Sequence, residues 1–247
     1  MILCVDIGNT ATKIALVAGR RITRRAVIDA GANERALGRA VANVLRGRRP
    51  LNGAALCSVR PQATDAVVRA IVRASGLYPT VVNHRTPMPI DLAVRQPARV
   101  GTDRLCAACG ALDARRRDAI VVTVGSAITV NLVVDRVFMG GVIMPGPGMS
   151  LAAMHTFTAQ LPQLALAAAA PVRFDDTESA MRWGAVLSAA GGIQLAVDML
   201  HQRARRCPVR FITGGDAARV ARWLPHGWKH VPDLTLVGLA RIVTLSR

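Results

Sequence analysis

The chain has 247 residues, 51% of them hydrophobic but only 3% aromatic, and a formal net charge of +17. That length allows one large domain or two small ones with an aliphatic core, and the scarcity of rings excludes a base-stacking nucleic-acid platform. Every basic residue except Lys13 and Lys229 is an arginine; outside short clusters at 20–25, 46–49, 115–117 and 203–206 they are dispersed, which reads as a solvated basic exterior able to steer anions, with nucleic acid not expected as a partner.

Apolar alternation and β-branched residues predict strands at 2–6, 11–17 and 22–28, an antiparallel meander. Asp6 interrupts the apolar run at the start of the chain, so no signal peptide is expected. A helix follows at 33–45, with Leu37, Val41, Val44 and Leu45 at helical spacing, then a strand at 54–59, a helix at 63–74 and a strand at 80–83. Pro87, Pro89 and Pro97 punctuate an irregular loop over 84–100. A helix at 103–115 starts where Thr102 or Asp103 can cap it. The second half restarts with strands at 120–124, 128–134 and 137–143 and a Gly/Pro loop at 144–149. Helices at 149–159 and 178–205, a strand at 209–213 and helices at 216–224 and 234–245 complete it. The uncharged stretch 137–172 contains Pro145, Pro147, Pro162 and Pro171 and does not read as a membrane helix, so no membrane association is expected. Five cysteines without regular spacing point to a reduced, cytoplasmic protein.

Residues 5–17, VDIGNTATKIALV, return as residues 122–134, VTVGSAITVNLVV. Val5/Val122, Gly8/Gly125, Thr12/Thr129 and Val17/Val134 are identical. Each copy reads as a strand, a tight turn containing Gly, and a second strand. Two halves, 1–117 and 118–247, each opening on this hairpin, predict a duplicated α/β domain with a cleft between the copies, where turn amides can cradle phosphates. This resembles the duplicated ribonuclease H-like architecture of the actin, Hsp70 and sugar-kinase superfamily.

Two segments carry candidate chemistry. In Asp6-Ile7-Gly8-Asn9-Thr10-Ala11-Thr12-Lys13, a carboxylate ends a strand where it can hold hydrated magnesium. The turn amides of Gly8, Asn9 and Thr10 can grip a phosphate, and Lys13 adds a point charge. The alternative is an ordinary hairpin with a solvated lysine. In Gly101-Thr102-Asp103-Arg104, Asp103 can accept a hydroxyl proton during phosphoryl transfer and Arg104 can bind a substrate carboxylate. The alternative is that Asp103 merely caps the helix.

The ordered set of motifs goes further. DIGNTATK at 6–13, GTDR at 101–104, the hairpin at 123–127, GGVIMPG at 140–146, Thr177, TGG at 213–215 and LTLVGL at 234–239 resemble, in order and spacing, the type III pantothenate kinase family, which opens coenzyme A synthesis in prokaryotes. The resemblance implies ATP and magnesium at Asp6, Gly8, Asn9, Thr10 and Lys13, with Ser126 touching an ATP phosphate and the turn at 213–215 near the adenosine. It implies pantothenate at Gly101, Thr102, Asp103, Arg104 and Thr177, with Asp103 as the base, and a homodimer. Three positions depart from the family pattern. Thr123 stands where an Asp would hold an activating potassium or ammonium ion, Asn131 replaces another Asp, and Val94 replaces a Tyr that contacts pantothenate. A neutral hydroxyl binds such an ion far less strongly than a carboxylate, which leaves cation dependence open. The same departures keep two alternatives in view: a nucleotide-binding relative with impaired catalysis and a regulatory role, and a kinase for a different small hydroxy acid.

Other residues read as structural. Cys106 and Cys109 have CxxC spacing but sit in an apolar helix without a second pair. His226 and His230 flank Trp228 in a surface turn, and Asp175-Asp176 caps the following helix.

Overall fold

The computed structural model describes residues 1–47, 51–166, 173–204 and 207–245. The far end of the helix expected to reach Arg205, the arginines at 48–49 and 205–206, and Pro171 lie outside the described residues.

The chain divides into two compact units: residues 1–115, 136–138 and 233–247 form the first, and residues 116–135 and 139–232 the second. In the first unit, β1 (Ile2–Ile7), β2 (Ala11–Ala18) and β3 (Arg21–Asp29) form the expected meander. Helix α1 (Glu34–Leu45) follows, its first turn capped by the Asn33 side chain, which accepts from the amide of Ala36. Then come β4 (Gly53–Ser58), α2 (Pro61–Ser75) and the short β5 (Thr80–Val81). The sheet order is β3-β2-β1-β4-β5, with β4 parallel to β1. Alternation along the strands sends Leu3, Val5, Ile7, Ile14, Leu16 and Leu56 to one face, where they pack on α1 and α2. The other face is covered by α3 (Thr102–Ala111) and, from the far end of the chain, α7 (Leu234–Leu245).

The segment at 84–100 is less irregular than expected. It contains the two-residue strand β6 (Asp91–Leu92), which pairs with Val137 and Phe138, and a 3-10 turn at Pro97–Arg99. Helix α3 is shorter than expected because its terminal carbonyls are taken by arginines from other elements. Arg20 donates to the carbonyl oxygens of Gly110 at 2.6 Å and Leu112 at 2.8 Å, and Arg241 to that of Cys109 at 3.1 Å.

The second unit contains β7 (Ala119–Val124), β8 (Ala127–Val134), most of β9 (Val137–Pro145), α4 (Pro147–Phe157), α5 (Thr177–His201), β10 (Val209–Thr213), α6 (Ala217–Ala221) and β11 (Trp228–His230). Its strand order, read from β9, is β9-β8-β7-β10-β11. This repeats the third-second-first-fourth-fifth order of the first sheet. Ile120, Val122, Val124, Ile128, Val130 and Leu132 pack on α5 and α6. His230 lies on β11 rather than in a turn; a three-residue strand carries too little alternation to be read from sequence. Helix α5 is long and apolar enough, by length and composition, to cross a membrane, but Ala189, Ala190, Ile193, Ala196 and Val197 are buried in this core.

The division expected at 117/118 is corrected at its far end. Helix α7 packs on β1, β2, β4 and α3 of the first unit. Its contact with α3 is closed by paired glycines: a methyl group on Gly110 would lie 2.4 Å from the Leu234 oxygen, and one on Gly238 1.7 Å from the Cys106 oxygen.

Candidate active site

Asp6 near the end of β1 and Lys13 on β2 are direct register partners, so both side chains leave the sheet on one face. That face carries α3 and α7, since the neighbouring Val5 and Ile7 fill the other. Asp103 enters from the start of α3 and Asp233 from the residue preceding α7. Four sequence-distant ionisable groups are thereby brought together within the first unit.

Asp6 is partly buried, and its Oδ1 accepts a hydrogen bond from Cys57 Sγ at 3.4 Å. Burial raises it from the ordinary 3.8 to about 6; the charges of Asp103 and Asp233 push the same way, while Lys13 and the Cys57 thiol oppose. The Cys57 thiol itself is held protonated by a hydrogen bond with Cys106 and by burial. Cys106 and Cys109 are free and buried on α3.

Asp103 is the second residue of α3, not its cap; Gly101 occupies the cap position and no side chain caps the helix. Burial raises the Asp103 carboxyl, against hydrogen bonds from the backbone amides of Arg104 and of Asp103 itself. A methyl group on Gly101 would meet Asp103 Oδ1 at 2.5 Å, so glycine there leaves the carboxylate its place. Thr102 Oγ1 donates to the Ser58 carbonyl at 3.1 Å, tying α3 to the end of β4. The Arg104 guanidinium lies 5.6 Å from the ring centroid of Phe138.

The Gly8 amide donates to the Ala11 carbonyl at 3.0 Å, closing the first turn, while Asn9 and Thr10 stand exposed at its tip. The second turn is closed by Gly125 donating to Ala127 at 3.1 Å, one residue sooner. Thr129 therefore stands opposite Thr123, as Lys13 stands opposite Asp6. The ladder shifts by one against the sequence repeat, which had matched Thr129 with Thr12.

In the second unit, Thr123 also pairs with Thr213 of β10, and the buried Asn131 donates from Nδ2 to Thr129 Oγ1 at 3.1 Å. Ser126 is exposed at the hairpin tip, and its carbonyl accepts from the Gly146 amide at 2.9 Å. The turn at 213–215 packs on this hairpin: Gly214 has φ of +105°, and a methyl group there would lie 2.1 Å from the Val124 oxygen. Thr177 is exposed in the first turn of α5, with the Asp176 side chain capping the helix by accepting from Ser179 at 2.8 Å. Val94 is half-buried in the first unit, after β6.

Among the described residues no three His, Cys, Asp or Glu side chains converge on a metal position. Magnesium needs no such cage, because it keeps several waters and takes one or two carboxylates together with phosphate oxygens. Asp6, a carboxylate made costly by burial and bonded by a weak thiol donor, fits that demand. The strand positions at Thr123, Thr129, Thr213 and Asn131 offer neutral oxygens and do not fit a cation bound by carboxylates.

Sequence reasoning missed Asp233, Arg25 and Cys57. Asp233 is buried, and its carboxylate pairs with Lys13 Nζ at 3.3 Å and with Arg25 Nη1. Its place just before a helix was legible; its partners were not.

A twice-repeated five-stranded α/β unit, with an acid and a Gly turn on its first hairpin, defines the ATPase fold of the actin, Hsp70 and sugar-kinase superfamily. The fold is similar to a ROK family glucokinase from Streptomyces griseus solved with glucose and AMPPNP (TM-score 0.51, 14% identity, 97% of each chain). It is also similar to component A of (R)-2-hydroxyglutaryl-CoA dehydratase from Acidaminococcus fermentans (TM-score 0.59, 12% identity, 100% of this chain and 99% of that one). Residues 2–199 match the family described as type III pantothenate kinase. Proteins of that name from Chromobacterium violaceum and Porphyromonas gingivalis W83 are 34% and 32% identical; each comparison covers 98% of this chain, and 99% and 97% of the relatives. The chain belongs to the type III pantothenate kinase family, a kinase family of the ATPase fold.

Proposed function

We propose that this protein transfers the γ-phosphoryl group of ATP to the primary hydroxyl of pantothenate, giving 4'-phosphopantothenate in the first step of coenzyme A synthesis. The observation that carries the reading is the cluster on one face of the first sheet, where Asp6, Lys13 and Asp103 meet in a chain of this family. Asp103, made more basic by burial, takes the hydroxyl proton as the new O–P bond forms and the bond to the ADP oxygen breaks. Asp6 holds magnesium, through water or directly, and the ion supplies charge neutralisation on the phosphates. Lys13 and the exposed turn at Asn9 and Thr10 bind ATP phosphates, with Gly8 shaping the turn. Gly101, Thr102 and Arg104 form the acceptor side, Arg104 facing the pantothenate carboxylate. On the second unit, Ser126 is assigned to an ATP phosphate and Thr177 to pantothenate.

The neutral Thr123 position supports catalysis without a monovalent cation. Exposed Leu187, Leu195 and Met199 (50%, 63% and 59%) on α5 support a homodimer formed through this helix, and five free cysteines support a cytoplasmic location.

The test incubates the purified protein with MgATP and pantothenate, with and without potassium or ammonium, and detects 4'-phosphopantothenate by mass. Equal product in both is the expected outcome. Product only with the cation would overturn cation independence. No product from folded protein that binds ATP would overturn the pantothenate assignment.

A further inference from the structure

Lys13 has a choice of two carboxylates. Asp6 is its register partner across the hairpin, yet Lys13 makes its ion pair with Asp233 at 3.3 Å. Asp233 is only 7% exposed, and its second oxygen is held by Arg25. Its backbone has φ of +55°, a left-handed conformation uncommon for residues with a side chain, though Asp and Asn adopt it more readily than others. The Asp233 carbonyl accepts from the amides of Leu236 and Val237 at 2.9 and 3.4 Å, which anchors the residue to the start of α7. The carboxylate is thus fixed by its own backbone, by a helix and by a second cation. A buried acid with two cations is a rigid holder for either of them.

We propose that Asp233 is the positioning residue for Lys13: it holds the ammonium off Asp6, so that the Asp6 carboxylate stays open to magnesium and Lys13 stays presented to the ATP phosphates. This rests on the kinase reading only through the assignment of Lys13 and Asp6 to MgATP. When Asp233 loses its charge, Lys13 turns to Asp6, the acid opposite it. That new pair removes one phosphate contact and competes with the metal. The effect is expected on MgATP and not on pantothenate, because Lys13 and Asp6, the groups that re-pair, are the ones assigned to MgATP.

Two substitutions separate charge from backbone. Asp233→Asn keeps a residue that tolerates positive φ, and Asp233→Gly removes the strain altogether. MgATP binding is measured by calorimetry over a magnesium series for the wild type, both variants, Lys13→Met and the double variant Lys13→Met/Asp233→Asn. Pantothenate kinetics are measured in parallel. Both single Asp233 variants are expected to weaken MgATP binding on the order of tenfold and to raise the magnesium needed for half-saturation, with KM for pantothenate unchanged. In the Lys13→Met background, Asp233→Asn is expected to add little. Wild-type binding in either the Asn or the Gly variant would overturn the proposal, as would additive losses in the double variant or no loss in Lys13→Met. A wild-type protein that binds MgATP but makes no 4'-phosphopantothenate would overturn the pantothenate assignment alone, since the binding cycle still decides the role of Asp233.

Discussion

Asp6 carries an electrostatic cost of burial. Its folded value of about 6 lies above the ordinary 3.8, so between those values the native state binds more protons than the unfolded chain. Stability contributed by the protonated form is complete below the lower value and is lost as pH rises through the upper one. Asp6→Asn is therefore expected to be more stable than wild type at pH 7.5 without nucleotide, with the gap closing toward pH 4 and narrowing when MgATP is added. Chemical denaturation at both pH values checks this, and a gap independent of pH would refute the electrostatic account. Asp103 has a different duty. Asp103→Asn is expected to lower turnover by on the order of 10³-fold with ATP affinity nearly unchanged, measured by product formation and by calorimetry. Gly101→Ala should reproduce part of that loss, since the added methyl would displace the Asp103 carboxylate from where it stands now.

The hairpins show what an element can inherit and what it can lose. Both copies were visible as strand, Gly turn and strand, and both fold so. A single residue less in the second turn resets the ladder, pairing Thr123 with Thr129 where the first hairpin pairs Asp6 with Lys13. The first hairpin presents a charged pair; the second presents neutral oxygens joined to Asn131. Sequence comparison at fixed offset cannot show this, because register depends on where the turn closes. The helix pair α3 and α7 obeys a harder constraint. Gly238→Ala would drive a methyl group into the backbone of α3 and is expected to cost about 3 kcal/mol, read as a lower denaturation midpoint. An unchanged midpoint would mean that the helices separate at no cost.

At the scale of the molecule, the chain's last helix completes its first unit. Leu234, Leu236, Val237, Leu239, Ala240, Ile242 and Val243 are all buried, so α7 is a core element of a sheet begun at residue 2. Truncation after Pro232 is expected to expose that face and abolish MgATP binding, while the core of α5, α6 and the second sheet retains slow amide exchange. Exchange mass spectrometry separates the outcomes; uniform loss across both units would show that they fold as one.

Strand alternation, helix spacing and turn chemistry act over a few residues, which is why the sequence alone determined the order of most elements, the duplicated hairpin, and the candidates Asp6, Lys13 and Asp103. The short strands β6 and β11 escaped because they lie in Pro- or Gly-punctuated segments where two or three residues hold no period, and the end of α3 because arginines from elsewhere terminate it. Only the tertiary structure decided that α7 belongs with the first unit, that Cys57 bonds Asp6, and that Asp233 holds Lys13. Those relations join residues far apart in sequence, and they come from which face of a sheet each side chain leaves and which helix is packed there, a matter no local pattern contains.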